Sequence, residues 1–91
     1  MFFRVRMEAQ AASPNLAPET PVGCFTTRCV AAKSKTDAGQ RAEARFRAEL
    51  VVQNIWPAFR IKIESVDPVS LFEYALNMRI AGATWYMRLD D

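Results

Sequence analysis

Phe3, Val5 and Met7 alternate with Arg4, Arg6 and Glu8 at the start of the chain, the period of a strand with one apolar and one polar side. Residues 11–23 carry Pro14, Pro18 and Pro21 without periodicity, which predicts a long loop. Gly23 then opens Cys24-Phe25-Thr26-Thr27-Arg28-Cys29-Val30-Ala31, rich in β-branched and aromatic residues and read as a second strand. After Ser34, a helix cap with an acid three residues on, the apolar positions recur every four residues at Ala38, Ala42, Phe46 and Leu50. This predicts a helix over 35–52, with Glu43–Arg47 and Arg45–Glu49 as i,i+4 pairs on its outer side, stopped ahead of Pro57. Phe59, Ile61 and Ile63 alternate with Arg60, Lys62 and Glu64, a third strand patterned like the first. Asp67-Pro68 has the form of a cap and first turn, and Val69, Leu71, Phe72, Ala75, Leu76 and Ile80 supply an apolar face, so a second helix is expected over 68–80. The last strand is Thr84–Leu89, with Trp85, Met87 and Leu89 on one side.

The order ββαβαβ predicts an α+β domain over residues 1–91, a two-layer sandwich of ferredoxin-like type with both helices on one face of a four-stranded sheet. The second strand, first helix and third strand make a right-handed crossover if the two strands are parallel.

Three pieces, Phe2-Phe3-Arg4-Val5-Arg6, Gly23-Cys24-Phe25-Thr26-Thr27-Arg28 and Gly82-Ala83-Thr84-Trp85-Tyr86, carry a resemblance. They look like small bacterial hypothetical proteins in which an aromatic-Val-Arg strand, a Gly-aromatic-Thr-Thr-Arg strand and a Gly-Thr-aromatic strand recur. The resemblance supports the strand assignments and implies no catalytic or binding residue.

With 51% hydrophobic and 24% charged residues the chain is composed like a soluble globule. A domain of this size buries only about two thirds of its unfolded surface, so self-association would add needed buried area. Net charge is +2, but residues 33–62 carry +4 and residues 63–91 carry −3. The sequence has no histidine, which removes the commonest general base and the commonest zinc ligand. Cys24 and Cys29 are five positions apart on one strand, so they point to opposite faces and form no disulfide; reduced thiols and a cytoplasmic location are expected. No apolar run has the length of a signal peptide core or a membrane span, so no membrane partner is expected.

The candidate chemistry lies on the polar side of the strands. Arg4, Arg6, Arg60, Lys62, Tyr86 and Arg88 would share one sheet face, joined by Arg28 if its register agrees. Such a face could hold phosphates and stack a base on Tyr86, or it could be a solvated or dimer-buried surface covered by long Arg and Lys stems. Ile55-Trp56-Pro57 puts a Trp in a connection, where Trp56 is either a subunit contact or a lid over the core. Thr26, Thr27, Cys29, Asp67, Ser70 and Glu73 are the candidates for nucleophile or acid/base duty, and no spacing forces any pair of them together. No glycine-rich nucleotide loop is present. The leading expectation is a non-catalytic binding or accessory module that forms a homodimer, without cofactor or metal and with its small-molecule ligand, if any, unspecified. Nucleic-acid binding through the basic face is second and is not favoured by the small net charge; an enzyme is third.

Overall fold

The computed structural model describes residues 1–12, 16–77 and 83–87. In chain order the elements are β1 (Phe2–Ala11), β2 (Gly23–Ala31), α1 (Lys35–Gln53), β3 (Phe59–Val69), α2 (Leu71–Asn77) and β4 (Ala83–Tyr86). The sheet order is β3-β1-β2-β4 and each neighbouring pair is antiparallel. Because β2 and β3 both run against β1, they are parallel to each other with β1 between them, and α1 makes the crossover of a split βαβ unit. Two strands precede the first helix, which differs from the βαββαβ order of a ferredoxin-like domain.

Period-two alternation along β1 builds the core. Phe3, Val5, Met7 and Ala9 are buried together with Cys24 and Val30 of β2, and α1 lays Ala38, Ala42, Phe46 and Leu50 over them. The helix lies close to β3 at Gly39, where an added Cβ would stand 3.1 Å from Ile63 Cδ1. Both ends of α1 are fixed by local chemistry. The Asp37 N–H donates to Ser34 Oγ (3.1 Å), and the Asp37 carboxylate accepts from the Lys33 N–H (3.1 Å) and from Arg41. Those two donors, the Lys33 N–H first, hold the Asp37 carboxyl below its usual range. Asn54 closes the helix in the left-handed conformation (φ 52°), its N–H donating to the Leu50 carbonyl.

Three expectations are corrected. Asp67 and Pro68 do not start a helix: β3 continues through them to Val69, and Asp67 lies opposite Arg4 and Pro68 opposite Phe3. An edge strand tolerates the proline, and a bulge at Glu64, where the register with β1 shifts, lets the strand run on with its apolar side still inward at Val66. The second helix therefore begins at Leu71, with the Glu73 N–H donating to Ser70 Oγ.

Nor do the helices share a face. Tyr74 of α2 packs on Phe2 (ring centroids 4.4 Å) and Glu73 accepts from Arg4 (3.2 Å), while Phe2 and Arg4 point away from the side covered by α1. So α1 covers one face of the sheet and α2 covers one end of the other. Finally, Glu49 takes no part in an outer pair with Arg45; its carboxylate receives Arg28 from β2. The expected Glu43–Arg47 pair is present at 4.0 Å.

Since Phe46 is the largest fully buried side chain among the described residues, Phe46→Ala should lower unfolding free energy in urea by about 3–5 kcal/mol, against about 1 kcal/mol for Ser34→Ala. A loss at Phe46 no larger than at the cap would show that α1 is not the cover of the core.

Candidate binding face of the sheet

The strand register sets out the face opposite α1 as cross-strand rows. Asp67, Arg4 and Cys29 form one row and Ser65, Arg6 and Thr27 the next. Lys62, Glu8, Phe25 and Thr84 follow, then Arg60, Gln10, Gly23 and Tyr86. Helix α2 covers the first of these rows through Arg4, and no other described element lies over the last three, which form a band left uncovered among the described residues.

Five of the expected residues share this face: Arg4, Arg6, Arg60, Lys62 and Tyr86. Their states differ. Arg4 is committed to Glu73 (3.2 Å) and lies 3.9 Å from Asp67, and its Nε is buried without a hydrogen-bond partner. Arg6, Arg60 and Lys62 are exposed, and no ion pair holds them among the described residues. Tyr86 crosses over Gly23, where any side chain would occupy the place of its ring, and its hydroxyl donates to Glu8 Oε2 (2.7 Å). Burial, followed by the bond to the Glu8 carboxylate, raises the Tyr86 pKa above the ordinary phenol value.

Arg28 does not join the face. Its partner across β1 is Val5, so it points to the α1 side. There it makes a two-pronged bond to Glu49 (2.9 and 2.8 Å), donates to Thr26 Oγ1 (2.9 Å) and lies 5.9 Å from the Phe46 ring centroid. Arg88 lies outside the described residues.

Trp56 is buried as a lid over the end of the core. It is 4% exposed, its indole N–H donates to the Pro21 carbonyl (2.7 Å), and its ring packs on Phe59 and Trp85. This one side chain ties the proline-rich loop, the start of β3 and β4 together.

Phe25 belongs to the face and the sequence reading did not single it out. It is 45% exposed and packs on Tyr86 with ring centroids 5.2 Å apart. Each side of β2 carries both apolar and polar residues, so alternation alone does not choose its inner side; the pairing Glu8–Phe25 does.

The cysteines lie as parity predicts. Cys24 is opposite Ala9 and buried, Cys29 is opposite Arg4 on the other face, and both are free thiols. Burial raises the Cys24 pKa, which makes that thiol a poor nucleophile. Among the described residues no group of three or more Cys, Asp or Glu is placed to hold a metal ion, and no helix is long and apolar enough to cross a membrane. Two surface grooves flank α1, one lined by Ala48, Glu49, Val52 and Gln53, the other by Lys35, Thr36, Gly39, Gln40, Ile63 and Val66. Neither lining joins an acid to a base: the first carries Glu49, whose carboxylate is held by Arg28, and the second carries Lys35 without an acid.

Comparison with family models, with curated proteins and with solved structures finds no match.

Two measurements check this geometry. The ultraviolet titration difference between the parent chain and Tyr86→Phe, which belongs to Tyr86, should have its midpoint above 10. A folded-state pKa above the unfolded one contributes stability that is complete below pH 10 and is lost as pH rises further, so Tyr86→Phe should flatten that alkaline loss. A midpoint at or below 10 would mean that the hydroxyl is not enclosed with Glu8. In thiol titration of folded protein, Cys29 should react well before Cys24, and both should react on unfolding; fewer than two reactive thiols in denaturant would contradict the opposed placement.

Proposed function

We propose that this chain is a non-catalytic binding module that assembles as a homodimer through α2. The observation that carries the reading is the way α2 docks. It meets the sheet through Glu73 and Tyr74, and turns its apolar residues outward: Leu71 is 64% exposed, Phe72 74% and Leu76 55%. On a helix of 3.6 residues per turn, Leu71, Phe72, Ala75 and Leu76 occupy one continuous arc opposite the docking side. An apolar arc of this kind is costly in water, and contiguous exposed apolar patches of a few hundred Å² mark interaction surfaces.

A second copy is the occupant supported by the remaining surface. The uncovered band of the sheet carries Arg6, Arg60 and Lys62, so stacking two such faces would oppose like charges. The arc on α2 carries no charge and pairs with itself across a two-fold axis, giving a closed dimer. A domain of 91 residues gains the buried apolar area that its own core supplies sparingly. The dimer leaves the sheet band free on each protomer, as a binding module requires.

Light scattering after size exclusion, at tens of micromolar, should give roughly twice the chain mass of 10.3 kDa. The double variant Phe72→Lys, Leu76→Lys should fall to the single-chain mass with an unchanged circular dichroism spectrum, whereas Val52→Lys, at the far end of α1, should stay dimeric. A single-chain mass for the parent protein sinks the proposal.

A further inference from the structure

We infer that the uncovered band of the sheet binds single-stranded nucleic acid, with phosphates along β3 and β1 and a base stacked on Phe25. Arg60 and Lys62 follow one another on the same side of β3, about 7 Å apart along the strand, and Arg6 continues the line on β1. These three cations have no protein partner among the described residues, so their charge is available to a ligand. Beside them on β2, Phe25 offers an exposed ring backed by Tyr86, which is held in place by Glu8 and the bare backbone of Gly23. Gln10 lies between the cations and the aromatics; its side chain bonds the Tyr86 hydroxyl, and the rest of its exposed amide is able to donate and accept at a base edge.

Cations in a line with an aromatic platform beside them fit a chain of alternating phosphates and bases. An acidic peptide would use the cations and leave the rings without a role. Duplex would not reach the rings, because paired bases are stacked on one another.

Two carboxylates oppose the incoming phosphates. Glu8 is engaged by the Tyr86 hydroxyl and lies opposite Lys62, and Glu64 sits at the bulge on the outer strand. They leave the uncovered rows one charge positive, which sets an affinity that depends strongly on salt. This inference does not rest on the dimer: α2 lies at the other end of the face, and a protomer carries the whole band.

The test is fluorescence anisotropy of a short labelled oligo-dT with the full chain, between about 50 and 200 mM salt. Three phosphate contacts predict a log-log slope of about −2, reduced to about −0.7 in Arg60→Ala, Lys62→Ala. Phe25→Ala should weaken binding about fivefold to a hundredfold, and Phe25→Tyr, which keeps the ring, should restore it. Arg45→Ala, on the outer side of α1, should change nothing. Absence of binding by about 100 µM protein at the lower salt overturns the inference. So does equal or tighter binding of an oligoglutamate peptide or of duplex, or an affinity indifferent to Phe25→Ala.

Discussion

The fold depends on one constraint, the two-sided character of β1. It is paired along its length on both edges, and its alternate residues divide between two unlike environments. Phe3, Val5, Met7 and Ala9 are almost fully removed from water under α1, and burial of such side chains is worth about 1.5–3 kcal/mol each for the larger ones. Phe2, Arg4, Arg6, Glu8 and Gln10 go to the other face with no freedom to do otherwise, because a one-residue slip would exchange the two sets. The candidate binding face is thus a consequence of how the core is made. Its charges sit where they do because the hydrophobic residues between them are fixed.

That constraint also explains the bulge at Glu64. Pairing Met7 with Ile63 and Val5 with Val66 keeps apolar residues together on the α1 side, and only an extra residue between them reconciles the two pairings. With the bulge in place, Asp67 comes opposite Arg4 and the chain leaves β3 on the side that lets α2 reach Phe2 and Arg4. The cost is visible at the Arg4 Nε, which is buried without a partner while the rest of the guanidinium reaches Glu73.

The peripheral segments are held by a few side chains that bridge distant parts of the chain. Trp56 bonds the carbonyl of Pro21 and stacks with Trp85, and the Val22 N–H donates to the Tyr86 carbonyl, so the short edge strand β4 and the loop before β2 are fastened at the same place. On the opposite face Tyr86 reaches Glu8 across Gly23. β4 thus contributes one aromatic to each side of the sheet, which follows from its alternation.

What the sequence determined by itself is everything that period and punctuation encode. The order of elements, the extent of α1 with its Ser34 cap, the inner residues of β1 and β3, and the opposed cysteines all follow from which neighbours along the chain share a side. Tertiary structure decided what depends on partners far away in sequence. Arg28 turned inward because Glu49 and Val5 define that side of β2, whose own composition is ambiguous. Trp56 became a lid because Pro21 and Trp85 meet it. Asp67-Pro68 stayed extended because pairing with Arg4 and Phe3 outweighed a local preference to begin a helix. Helix α2 chose its face through Glu73 and Tyr74, against the side its apolar residues would suggest, because contacts with Arg4 and Phe2 some seventy positions away are invisible to any pattern read within a helix.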